Sequence, residues 1–101
     1  MNLIESSEKL FSKALTLMKA KNHDYAGKDK AVGLENFNIT ASVANISREQ
    51  GILVRLMDKM TRVGNLLQHG AEVKTESIND TLEDAINYCA ILHYALNEKK
   101  E

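Results

Sequence analysis

Between Gly51 and Leu67 the polar residues return at spacings of three and four: Arg55, Asp58, Lys59, Arg62 and Asn65. Between Asp80 and Leu92 the same spacing recurs in Asp80, Asp84, Asn87 and Tyr88. Residues three and four apart stack on one face of an α-helix, whereas a strand repeats every second residue. Two such segments in a chain of 101 residues commit much of it to helix, each helix with a polar stripe. An acidic and a basic stripe on two packed helices suit a phosphorylated ligand, with or without a metal ion.

The rest of the chain follows the same period. Ile4, Leu10, Phe11, Ala14, Leu15 and Met18 predict a helix from Ile4 to Ala20. From Lys21 to Glu35 the pattern lapses into two glycines, two aspartates and three lysines. This predicts a long loop after the first helix, a feature that often carries function. Phe37 to Ile46 reads as a short helix with Ile39, Val43 and Ile46 on one side. Ser47-Arg48-Glu49-Gln50 has the form of a capping box. It opens a third helix that runs to about His69, with Gly70 placed to stop it. Ser77-Ile78-Asn79-Asp80 is a second capping candidate, and the last helix runs from there to about Asn97. Its apolar face reads Ile78, Leu82, Ala85, Ile86, Cys89, Leu92, His93 and Leu96, which makes Cys89 a packed core thiol and His93 a core histidine. The prediction is an all-α, four-helix-bundle-like single domain over 1–101. Met57, Met60, Val63 and Leu67 give the third helix a broad apolar arc, so self-association into a homo-oligomer is expected to complete the core.

Thirteen basic and 14 acidic residues leave a formal net charge of −1. No global field favours long nucleic acid or an anionic membrane, so phosphate recognition has to come from local clustering. No apolar run reaches the ~18 residues of a membrane span. Met1-Asn2-Leu3-Ile4-Glu5 lacks the start of a signal peptide. The single cysteine excludes an internal disulfide and fits a reducing cytoplasm, the expected location.

Three constellations could carry chemistry. Asp80 and Asp84 lie one turn apart and can converge on a magnesium ion, which takes one or two carboxylates plus waters and phosphate oxygens; Glu83 lies close by. Acids near a helix start also simply favour the helix dipole. Arg55 and Arg62 can grip phosphate oxygens through their planar forks, with Lys59 beside them and Asp58 orienting an arginine or joining the carboxylates. The plainer reading of that stripe is a solvated face with ion pairs. In the third, Lys21 and Lys28 can reach phosphate, and Asp24 lies between them. Tyr25 can stack on a base or pack in the core, and Gly27 permits a tight turn. Asn87 and Tyr88 sit beside Asp84, and all three are candidate ligand contacts. No histidine–glutamate pair has zinc spacing and no serine has a nucleophile context.

Taken in order, Lys21-Asn22-x-Asp24-Tyr25-x-Gly27, Phe37, Arg55-x-x-Asp58-Lys59-x-x-Arg62 and Glu76-Ser77-x-x-Asp80-Thr81-x-x-Asp84-x-x-Asn87-Tyr88 resemble the small nucleotide-modification-associated helical domain of phages and bacteria. The resemblance spans roughly residues 20 to 95 and implies a nucleotide ligand, linear or cyclic. The last helix is also similar to the metal-binding helix of MazG-like all-α nucleotide pyrophosphohydrolases, which bind magnesium through paired acids on two helices. Asp84 and Asp80 match acids of that helix. Thr81 stands where a further acid would be, and Asp58 alone stands where the partner helix would bring two glutamates, which removes magnesium ligands. The resemblance implies a small phage-type nucleotide-binding protein of the host cytoplasm. It would act in nucleotide modification or metabolism, or sequester a nucleotide immune signal. A magnesium-dependent nucleoside triphosphate pyrophosphohydrolase and a helical protein–protein adaptor are the competing readings.

Overall fold

The computed structural model describes residues 1–26, 34–69 and 75–98, without the side chains of residues 23–26, 35, 75 and 76. Four helices form: α1 (Leu3–Ala26), α2 (Glu35–Ala44), α3 (Arg48–Gln68) and α4 (Thr75–Asn97). The chain is all-α, and among the described residues there is no strand. No described helix is long and apolar enough to cross a membrane.

Local chemistry sets the helix ends. At α3 the Ser47 hydroxyl accepts from the Gln50 N–H at 3.0 Å and the Gln50 side chain accepts from the Ser47 N–H at 2.9 Å, so the capping box forms as read. α2 ends through Asn45 in the left-handed region at φ 58°, a conformation asparagine tolerates better than most residues. The N–H groups of Asn45 and Ile46 then return to the carbonyls of Ser42 and Ala41, which closes the helix in a Schellman pattern. α1 opens on Asn2, whose side-chain oxygen accepts from the Glu5 N–H at 2.8 Å.

α2 spans Glu35–Ala44 rather than Phe37–Ile46, and two other boundaries differ more from the sequence expectation. α1 runs to Ala26, not Ala20. The apolar period stops at Lys21 because Lys21 meets a carboxylate of α4 rather than an apolar side chain, and the helix continues around that contact. Part of the expected loop is thus helix, and residues 27–33, with Gly27, Lys28 and Gly33, lie outside the described residues, as does Gly70. α4 begins at Thr75, so Ser77–Asp80 lie inside the helix instead of capping it.

α3 and α4 pair as an antiparallel hairpin in a single register. A step of seven residues from Arg48 to Arg55 is matched by seven back from Ala95 to Tyr88. A further four to Lys59 is matched by four to Asp84, and three more to Arg62 by three to Thr81. The core sits beside this seam. Leu34, Ile52, Tyr88, Ile91 and Ala95 form one buried cluster, with Met18 of α1, Phe37 of α2, and Leu56 and Leu92 packed against it. Ile52 is completely buried, worth about 2–3 kcal/mol in transfer free energy.

The hairpin turns α4 differently from its expected orientation. Thr81, Ala85, Tyr88, Ile91 and Ala95 face inward, while Cys89, His93 and Leu96 are exposed. Cys89 is therefore not a core thiol and His93 not a core histidine. The polar stripe of α4 has partners on α3 and α1, so it outcompetes the second apolar stripe for the interior. α3 likewise turns Val63 inward but leaves Met57, Met60 and Leu67 exposed. Gly64 lies in mid-helix, and among the described residues no atom beyond its chain neighbours and the helix's own nearby backbone comes within 4 Å of where a Cβ would stand. Glycine there costs the helix about 1 kcal/mol relative to alanine, and no contact in the described fold offsets it.

Candidate functional site

The polar rungs of the hairpin build the site. Arg55 Nη2 donates to the Tyr88 hydroxyl at 3.4 Å, and Arg62 Nε donates to the Thr81 hydroxyl at 3.3 Å. Between them Lys59 Nζ lies 3.2 Å from Asp84 Oδ2. α1 adds Lys21, whose Nζ is 3.7 Å from the other Asp84 oxygen. Lys21 and Lys59, distant in sequence, thus converge on one carboxylate because α1 and α3 both pack on α4. Asp84 is four-fifths shielded, whereas Lys21 is 43% and Lys59 29% exposed. The ammonium groups remain reachable from solvent while their counter-ion lies beneath them.

Tyr88 anchors the neighbouring turn. The Arg55 guanidinium carbon lies 5.9 Å from its ring centre, and Phe37 of α2 meets it edge-on at 6.3 Å. Tyr88 is buried, so it positions Arg55 and does not offer a ring face for stacking. Thr81 is buried too, and donates to the Ser77 carbonyl at 2.8 Å while accepting from Arg62. Sequence reasoning passed over Thr81 because it looked for an acid there. Its spacing of three from Asp84 and seven from Tyr88 is the signal that places it on the same stripe.

The structure brings Lys21, Arg55, Lys59, Arg62, Asp84 and Tyr88 together. Asn87 is 2% exposed and donates to the Ala14 carbonyl of α1 at 2.9 Å, so it serves as a strut between helices. Asp58 is exposed and makes no ion pair among the described residues. Asp24 and Tyr25 fall in the last turn of α1, with their side chains outside the described set, as is Lys28.

The donors near Asp84 do not fit a divalent cation. Both its oxygens face ammonium groups, Asp80 points to solvent, and the described residues contain no group of three histidine, cysteine or acidic side chains arranged for a metal. Phosphate oxygens match the same groups better, because lysine and arginine recognise them through charge-assisted bonds. A separate open groove of about 610 Å³ lies where α1 passes α4, lined by Lys9, Lys13, Thr16 and Leu17. Glu83 is buried in its wall, with Lys13 at 4.0 Å, and that carboxylate opposes an anion there. No protein-family model, curated protein or solved structure matches the chain.

Proposed function

We propose that this domain binds a phosphorylated nucleotide, linear or cyclic, where α1, α3 and α4 meet. The observation that carries the reading is the convergence of Lys21 and Lys59 on Asp84, flanked by Arg55 and Arg62 on the same seam. A phosphate entering from solvent replaces Asp84 as counter-ion for two partly exposed ammonium groups, and Arg62 supplies a planar fork beside it. Two lysines on Asp84, with Arg55 and Arg62 on the flanking rungs, outnumber Asp84 and the nearby Asp58 and gather positive charge locally on a chain whose net charge is −1. The sequence resemblance, rather than the geometry, motivates the nucleoside part of the ligand and the phage setting. There such a binder serves nucleotide modification or metabolism, or holds a nucleotide immune signal. A homo-oligomer is part of the same proposal, because apolar side chains on α1, α2 and α3 stand exposed.

A thermal-shift panel of nucleotides and cyclic dinucleotides, run with and without magnesium and followed by product analysis, tests the reading. Binding should persist in chelator and leave the nucleotide intact. Arg62→Ala should weaken binding by about 1.5–3 kcal/mol, the range for a lost charge-assisted bond. Wild-type affinity in Arg62→Ala would remove the phosphate role. Magnesium-dependent release of pyrophosphate would replace binding by hydrolysis.

A further inference from the structure

α3 is built with its charges facing one way and an apolar seam facing the other. Beyond its first turn its charged residues are Arg55, Asp58, Lys59 and Arg62. Three of them contact α4, and helical geometry places Asp58 beside them. The opposite side presents Leu53, Met57, Met60, Gly64 and Leu67, alternating by four and three. That is the spacing of a helix–helix seam with knobs set into holes. The four side chains are 44 to 64% exposed. Their neighbours on this face are Gln50, Val54, Thr61 and Gln68, all uncharged, and Glu49 in the first turn, which is paired with Arg48. A solvated helix face would carry charge instead.

We infer that this seam packs against the same seam of a second copy of the chain, antiparallel about a twofold axis between Met57 and Met60. The inference rests on the self-association proposed above and is independent of nucleotide binding. Two observations select a second copy. The first is area. Applied to ordinary residue areas, the exposed fractions of Leu53, Val54, Met57, Met60 and Leu67 leave about 450 Å² of largely apolar surface per copy. That is more than half of the ~800 Å² per partner of a standard interface, before the flanking Gln50, Thr61 and Gln68 are added. The second is self-complementarity. In the antiparallel arrangement Leu53 of each copy lies opposite Gly64 of the other, and Met57 opposite Met60, so a large side chain fills the open space at Gly64 twice. A parallel pair would set glycine against glycine and leave that space empty. Gly64, unexplained within one chain, acquires a role as the point of closest helix approach. Because the Lys21–Lys59–Asp84 site lies on the other side of α3, each copy keeps a complete site.

Sedimentation equilibrium of the full chain at micromolar concentration, with circular dichroism as the folding control, tests this. The wild type should sediment at twice 11.3 kDa. Met57→Lys should weaken self-association by about 100-fold or more, as expected when a central contact is lost from both copies at once, with helicity unchanged. Gly64→Gln places a good helix former in space that is open within one chain, so it keeps the fold while blocking the approach, and it too should sediment as a monomer. Should Met57→Lys lose its helicity, Gly64→Gln decides alone. A wild-type monomer overturns self-association and this face with it. A wild-type mass retained in Gly64→Gln and in a folded Met57→Lys overturns the face and leaves self-association to another surface. Neither result bears on nucleotide binding.

Discussion

The two halves of the α3–α4 hairpin share one register and use it differently. Around Ile52 and Ile91 the facing residues are apolar and join Leu34, Tyr88 and Ala95 in the core. From Lys59 and Asp84 to Arg62 and Thr81 the rungs are charged or hydroxylated, and Lys59, Asp84 and Arg62 are partly open to water above the buried Val63, Thr81 and Ala85. The apolar half gains free energy by removing hydrocarbon from water, whereas exposed ion pairs contribute little net stability. The hairpin therefore holds its shape from one half and leaves the other free to present charge. A binding site can sit on the polar half because its partly exposed ion pairs contribute little to the fold.

The sharpest way to break this comparison is Ile52→Ala, which should destabilise the fold by about 2–5 kcal/mol, the range for emptying a fully buried aliphatic site. Urea unfolding followed by circular dichroism measures it. A loss under ~1 kcal/mol would mean that the apolar half is not the anchor.

Asn87→Ala should cost less, about 0.5–1.5 kcal/mol, because it removes the buried bond that ties α4 to the Ala14 carbonyl, which keeps its partner within α1. Hydrogen exchange localises the effect. Protection should fall in α1 and persist around Ile52 and Ile91, and a uniform loss would contradict the division of labour.

The smallest effect on stability is expected for Asp84→Asn, about 1 kcal/mol or less, since its lysine partners are partly solvated and the amide keeps an acceptor oxygen. Nucleotide affinity should rise several-fold, because the carboxylate no longer competes with phosphate for Lys21 and Lys59. Isothermal titration calorimetry on both proteins measures this, and a clear loss of affinity would place Asp84 among the groups that bind the ligand directly.

Much of the fold was legible in local pattern. Periodicity located all four helices, and Ser47 to Gln50 announced the start of α3 because a capping box needs only residues in sequence reach of each other. The grouping of Arg55, Lys59 and Arg62 with Asp84 and Tyr88 was also legible, since matched spacings of three and four on two helices can form rungs. Lys21 was read as a loop residue, because the end of an apolar period looks the same whether the chain leaves the helix or the helix meets a charged partner. Asn87 was read as a ligand contact, because an amide on a polar stripe shows nothing of the Ala14 carbonyl opposite it.

By itself, then, the sequence determined an all-α chain, the faces of each helix and the spacing of the charged stripes, because these depend on the 3.6-residue turn and on caps made by near neighbours. Only the tertiary structure decided which face of α3 and α4 turned inward. Each helix carries apolar residues on more than one side, so periodicity alone leaves two solutions. The choice fell to the arrangement that paired Lys59 and Lys21 with Asp84 and Arg48 with the Ala95 carbonyl while burying Ile52 and Ile91. That choice left Cys89, His93 and the Leu53–Leu67 seam facing out.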